Sequence, residues 1–197
     1  MIYVEGGAKG TLAQEARKHF TKFLQNRCLS ANRPRVKFCG NRIEALKRFR
    51  HGKATGENCL LLVDSEEVAT QGSPWDHPRM AKECPRPHDL DDADLHFMAS
   101  TMETWLISCP EEIEQFFGSG SNIQKLPQRA NLEEVSKQDV LNDLQGATRE
   151  SRKGEYGKGP HSFKLLGLMD PTKVRKRCPY WAVRFCEELK KRTEGAN

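Results

Sequence analysis

Glu5 directly follows the short apolar run Ile2–Val4, and Asp64 directly follows a longer one, Cys59–Val63, with Glu66 two residues further on. If both runs are strands of one parallel sheet, both acids sit at its carboxyl edge, where open α/β sheets bind their ligands. In an extended Asp64-Ser65-Glu66 segment the two acidic side chains project to the same side. Carboxylates gathered in this way repel one another unless a cation neutralises them. Hard oxygen donors of this kind suit Mg²⁺ or Mn²⁺. Such an ion polarises a phosphoryl oxygen and lowers the pKa of a bound water, while nearby lysines steady the developing charge. Glu5, Asp64 and Glu66 are therefore the expected metal-binding and catalytic carboxylates of a phosphodiester-cleaving site. Taken singly, each has a plainer reading: a turn residue beside Gly6 for Glu5, and a turn cap for Asp64.

The turn Gly6-Gly7-Ala8-Lys9-Gly10 stands between the first apolar run and a helical pattern. A glycine-rich turn there can offer backbone N–H groups to phosphate. It matches neither the dinucleotide-binding nor the nucleotide-hydrolysing glycine signature, and a tight turn is its default reading.

The elements that must position these residues follow from periodicity. From Thr11 to about Arg27, the residues Leu12, Ala16, Phe20, Phe23 and Leu24 share one helical face, with basic residues opposite. Val36–Cys39 reads as a second strand, and Asn41 as the cap of a helix whose stripe is Ile43, Leu46 and Phe49. The run ending at Val63 is continuously apolar, as a strand covered on both faces must be. Strand, helix, strand, helix, strand with short connections predicts an α/β fold, a Rossmann-like parallel sheet flanked by helices. Residues 67–94 read as a long irregular connection, with a further strand over Leu95–Ala99 and helices over Met102–Ser108 and from Pro110. After the Gly118–Asn122 linker, 132–145 reads as a polar helix, and Phe163–Met169 and Pro179–Arg192 as two closing helices. The expectation is a single compact domain, with a metal-binding core over 1–118 and a helical extension over 119–197 packed on it.

The 197 residues are 37% apolar and 30% charged, enough for a core under a highly charged surface. The net charge of +5 is distributed unevenly. Basic stretches from Arg17 to Arg50 and from Arg149 to Arg177 flank an acidic one from Asp89 to Glu114, a pattern suited to a polyanion held over a metal site. The seven cysteines include no Cys-x-x-Cys pair and lack zinc-site spacing. With no signal-peptide pattern and no apolar run approaching the roughly 18 residues of a membrane span, the expectation is a cytoplasmic protein. Of the other residues, His96 reads as a core histidine and Trp105, Trp181 and Phe185 as packing. Trp75 either covers the site or anchors the long connection.

Val4-Glu5-Gly6 before a helix and Leu62-Val63-Asp64-Ser65-Glu66 resemble the motifs of the Toprim fold, which occurs in topoisomerases, bacterial primases and overcoming-lysogenization-defect nucleases. The whole chain, through His96-Phe97-Met98, Met102–Leu106, Tyr156-Gly157-Lys158 and Cys178-Pro179, resembles a bacterial Toprim-like family of unknown function. The resemblance implies that Glu5 is the Toprim-type glutamate, a metal ligand or general acid/base, and that Asp64 and Glu66 are metal ligands. Glu103 is the further acidic candidate, and Lys153 or Lys158 matches the late lysine that contacts phosphate; of these we take Lys158 as the site residue. The sequence departs from the pattern at Lys9, where nuclease relatives carry a second glutamate. Asp91, Asp92 and Asp94 are alternative sources of a ligand.

The function expected on these grounds is a Mg²⁺- or Mn²⁺-dependent nuclease acting on DNA or RNA. The resemblance adds a setting in anti-phage defence and an ATPase partner protein. The alternative is a non-catalytic subunit of an ATPase complex that binds nucleic acid or its partner. A nucleotidyl-transfer or nucleotide-processing enzyme is a third reading, and fold alone does not choose among them.

Overall fold

The structure is a computed structural model, described over residues 1–7, 11–25, 34–86 and 88–194; Lys9 and Cys28 lie outside the described residues. Strands β1 (Ile2–Val4), β2 (Val36–Phe38), β3 (Leu60–Val63) and β4 (Leu95–Phe97) form one sheet in the order β2-β1-β3-β4. Every pairing is parallel, with Val4 level with Phe38 and Leu62, and Val63 level with Phe97. Helices α1 (Thr11–Gln25) and α2 (Arg42–Ala54) make the crossovers from β1 to β2 and from β2 to β3. The chain thus steps outward from β1 to β2, then returns past β1 to lay β3 on its other side. The strand order reverses between β1 and β3, which makes their carboxyl ends the switch point where such sheets bind ligands. This is the α/β arrangement expected, a parallel sheet of Rossmann- or Toprim-like form with helices on both faces.

Strands β1, β3 and β4 are short but buried on both faces, because alternate residues feed two separate cores, whereas edge strand β2 exposes Lys37. Ile2, Val4, Leu60 and Leu62 pack with Phe20, Phe23 and Leu24 of α1. Tyr3, Leu61, Val63, Leu95 and Phe97 pack with Ala45 and Phe49 of α2, together with Trp75, Met80 and Trp181. Leu61 and Leu62 are wholly buried on opposite faces, so cutting either to alanine costs about 2–5 kcal/mol.

The stripe of α2 is one residue out of the expected phase. Its buried residues are Arg42, Ala45, Phe49 and Gly52, whereas Ile43 is 63% exposed. Asn41 does cap the helix, its Oδ1 accepting from Glu44 N at 2.9 Å. The connection over 67–94 is less irregular than expected: it holds a 3₁₀ turn at Pro74–Asp76 and helix α3 (Pro78–Glu83). Trp75 anchors it, buried at 1% exposure with Nε1 donating to Asp91 O at 2.9 Å.

The remaining helices are α4 (Glu103–Ile107), α5 (Pro110–Phe117), α6 (Lys137–Thr148), α7 (Lys158–Leu166), α8 (Pro171–Arg177) and α9 (Trp181–Glu194). The helix expected over 132–145 starts later, because Ser136 Oγ accepts from Asp139 N and sets the α6 cap. The closing segment holds three helices, not two; α7 begins five residues before Phe163 and α8 precedes Pro179. Phe185 of α9 and Leu165 of α7 join the α1 core, and Trp181 joins the α2 core. Buried Glu133 fixes the start of α9 by accepting from the backbone N–H groups of Tyr180, Trp181 and Ala182 at 3.0, 2.6 and 3.2 Å. No helix among the described residues is long and apolar enough to cross a membrane.

Candidate functional site

A cleft of about 240 Å³ opens over the β1/β3 switch point. Glu5 reaches it because β1 ends at Val4, and Asp64 because β3 ends at Val63. Glu103 enters from the first turn of α4 and Lys158 from the first turn of α7; all four residues line the cleft. Gly6, with φ +95°, adopts a backbone that side chains disfavour, and its N–H donates to Gly40 O at 2.6 Å. This bridge ties the turn after β1 to the end of β2, so the turn under Glu5 is fixed.

Glu103 is the most confined of these carboxylates, at 2% exposure. Tyr156 OH donates to its Oε1 at 2.8 Å and Thr101 Oγ1 to its Oε2 at 2.5 Å. Lys158 Nζ lies 3.3 Å from the same Oε2, and that lysine remains 51% exposed. Tyr156 keeps its proton: burial, and then the Glu103 charge, push its pKa up.

Arg42, buried on the α2 stripe, holds the other side of the site. Its Nε lies 3.2 Å from Glu5 Oε2, its NH2 donates to Asp64 O at 2.8 Å, and its NH1 reaches Glu83 Oε2 at 3.1 Å. One guanidinium thus binds the ends of β1 and β3 to α3, a fork geometry that lysine lacks. Burial pushes the Glu5 carboxyl above the usual range, against the pull of Arg42.

Asp64 has the least satisfied carboxylate. Thr101 Oγ1 stands 3.5 Å from its Oδ2, too far for a strong bond, and its buried Oδ1 has no partner. Burial, then the charges of Glu103 and Glu5, push its pKa up to about 8, with Lys158 and Lys137 pulling the other way. An acid kept neutral by burial and by like charges is a common mark of a functional site.

Glu66 departs from the expected geometry. Its φ of +69° turns the chain out of the extended form immediately after β3, so Asp64-Ser65-Glu66 is not a straight strand with both acids on one side. Its carboxylate is held by Lys137 Nζ of α6 at 2.5 Å, and Glu66 does not line the cleft. Asp91, Asp92 and Asp94 are also elsewhere. Asp94 immediately precedes β4, so it belongs to the amino edge of a parallel sheet, where Lys53 and Arg192 bind it at 2.9 and 3.1 Å. Lys153 sits over the Phe116 ring at 3.7 Å. Arg177, in the C-terminal basic stretch, donates to the Ile107, Pro127 and Arg129 carbonyls, so part of that stretch holds the fold together. His96 is a core histidine, with Nε2 3.1 Å from Ala93 O and its ring against Phe185.

The residues that sequence reasoning did not assign to the site are Arg42, Thr101, Tyr156 and Lys137. A signal existed for Arg42 alone, since it stands at the i, i+3, i+7 spacing of Ala45 and Phe49.

The donor set of Glu5, Asp64 and Glu103 has the oxygen chemistry that Mg²⁺ or Mn²⁺ takes, and the orphaned Oδ1 of Asp64 is an atom such an ion would satisfy. With the side chains as they stand, no group of three or more His, Cys, Asp or Glu among the described residues is placed to hold an ion. Glu5 and Glu103 are engaged by Arg42 and by Lys158, Tyr156 and Thr101, and a bound ion requires a rotamer change in at least one of them.

A parallel α/β sheet with carboxylates gathered over its switch point defines a Rossmann-like fold with an acidic cleft. The chain belongs to the family described as a domain of unknown function, DUF4276, which it matches over residues 4–190. No curated protein and no solved structure matches it.

Proposed function

We propose that this cleft binds a divalent cation, Mg²⁺ or Mn²⁺, and cleaves phosphodiester bonds of nucleic acid. The observation that carries the proposal is the convergence of Glu5, Asp64 and Glu103 at the switch point, with one buried Asp64 oxygen unpartnered. Asp64 and Glu5 would be the ligands at the strand ends, with Glu103 completing the set from α4 and Glu66 a further donor if it leaves Lys137. When bound, the ion supplies electrophilic stabilisation of phosphoryl oxygens and a more acidic water.

The chain's own residues do the rest. Arg42 holds Oε2 of Glu5 and so fixes that carboxylate at the end of β1. Tyr156 and Thr101 hold Glu103 in the ion-free arrangement, from which it would turn to reach a bound ion. Lys158, half-exposed at the mouth, is close enough to leave Glu103 for a substrate phosphate and neutralise charge as it develops. The resemblance of the Glu5 and Asp64-Ser65-Glu66 motifs to Toprim-type nucleases supports this reading. A setting in bacterial anti-phage defence and an ATPase partner are part of the same proposal and rest on that resemblance alone; a cytoplasmic location is proposed with them on the sequence pattern.

A second reading is a non-catalytic subunit that binds nucleic acid or an ATPase. It is favoured by the ion pairs Arg42–Glu5, Lys137–Glu66 and Lys158–Glu103, which neutralise most of the acidic cluster without a metal. The two readings are separated by cleavage of labelled DNA and RNA in Mg²⁺, Mn²⁺ or EDTA. Metal-dependent cutting by the wild type that is lost in Asp64→Asn supports the nuclease. Nucleic-acid binding without cutting under any of these conditions supports the subunit.

A further inference from the structure

The acidic side of the cleft faces an apolar one. Phe38 at the end of β2 and Phe163 of α7 meet edge to face, with ring centroids 5.3 Å apart, and both are half-buried. Leu12, Met98 and Met102 complete this wall in the same 240 Å³ cleft as Glu5, Asp64 and Glu103. Phe38 and Phe163 pack on the core around α1, and the parts of their rings left uncovered border the cleft. Met98 and Met102 are buried beneath the cleft, and the partly exposed rings of Phe38 and Phe163 beside the carboxylates match a ligand that carries a planar apolar face next to its phosphate.

Resting on the phosphodiesterase reading above, we infer that the wall formed by Phe38 and Phe163 is a subsite for one unpaired nucleobase, so that the substrate is single-stranded nucleic acid or a frayed end. A base inside a duplex has both faces covered by its neighbours and cannot offer one to the wall; a base out of the stack can. Because the apolar wall and the carboxylates share one cleft, the phosphate joined to that base through a single sugar falls at the acidic side. Stacking of this kind tolerates any base, since every base has a π face, so the subsite selects strandedness without selecting sequence.

The test is fluorescence anisotropy of short labelled DNA and RNA oligonucleotides, single-stranded and as blunt duplexes, with Ca²⁺ in place of Mg²⁺. The wild type is expected to bind the single strand at least ~10-fold more tightly than the duplex. Phe163→Leu keeps an apolar side chain but removes the π face, and is expected to weaken single-strand binding by about tenfold with duplex binding unchanged. Phe38→Leu, on the opposite side of the wall, is expected to do the same and serves as the second probe if Phe163→Leu lowers the melting temperature. Equal or tighter duplex binding, or wild-type single-strand affinity in both variants, overturns the subsite while leaving cleavage itself intact. Failure of the wild type to bind either form in any cation overturns the subsite and the phosphodiesterase reading together.

Discussion

Arg42 Nε lies 3.2 Å from Glu5 Oε2, an ion pair whose partners are 37 residues apart and only 4% and 18% exposed. The same guanidinium donates to the Asp64 carbonyl, so the two strand ends that carry the acidic site are joined through a helix on one face of the sheet. Removing one partner of a buried pair leaves the other charge uncompensated. Arg42→Ala is expected to destabilise the protein by about 2–4 kcal/mol, discounted for the partial exposure of Glu5, as read from the midpoint of urea unfolding. Arg42→Lys keeps the charge but cannot span Glu5, Asp64 and Glu83 at once, and is expected to recover only part of the loss.

Asp64 links the site to stability. An acid whose folded pKa of about 8 exceeds its ordinary value of 3.8 binds its proton more tightly in the folded state. Between those values the folded state holds more protons than the unfolded chain, so stability is full below pH 4 for this group and falls as pH rises towards 8. Asp64→Asn removes the charge and is expected to raise the melting temperature of the metal-free protein at pH 8, with little effect at pH 4. A variant that melts below the wild type at pH 8 would count against this account of Asp64.

His96 acts at the other end of the pH scale. Burial lowers its pKa from 6.5 to about 3, so it stays neutral in the fold while the unfolded chain takes up a proton. Its contribution to stability is present above pH 6.5 and is lost as pH falls towards 3. His96→Phe, which packs against Phe185 and cannot be protonated, is expected to flatten the acid limb of a melting-temperature profile. The same limb in wild type and variant would show that other groups drive acid unfolding.

Glu133 predicts a defect away from the cleft. It satisfies three N–H groups at the start of α9, of which those of Trp181 and Ala182 would be left buried without an acceptor. Glu133→Ala is expected to cost about 2–4 kcal/mol, and Glu133→Gln less, since one amide oxygen still accepts. Hydrogen exchange at Tyr180, Trp181 and Ala182 would locate the opening, and unchanged protection there would contradict it.

The sheet was legible because Leu60–Val63 is apolar without interruption and Ile2–Val4 and Val36–Phe38 stand at short-helix spacing from it. Glu5 and Asp64 followed from strand polarity alone. The same polarity places Asp94 at the opposite edge, since it precedes its strand. Arg42 was hidden by a one-residue phase error, because Ile43 and Leu46 form an equally good apolar pattern until Arg42 is seen to find carboxylate partners inside. Glu66 turned away for a backbone reason, a positive φ that an Asp-Ser-Glu triplet does not announce. The contacts from Tyr156, Lys158 and Lys137 depend on how the helices after residue 118 fold back on the sheet, and no local pattern encodes that.

The central claim, that the carboxylates at the ends of β1 and β3 hold a divalent cation, is tested most directly by titrating the protein with Mn²⁺ in a calorimeter at pH 7, in two buffers of different ionisation enthalpy. The account predicts one site, proton release on binding as Asp64 ionises, and loss of the site in Asp64→Asn. Absence of binding, or equal binding and proton release in Asp64→Asn, would contradict it.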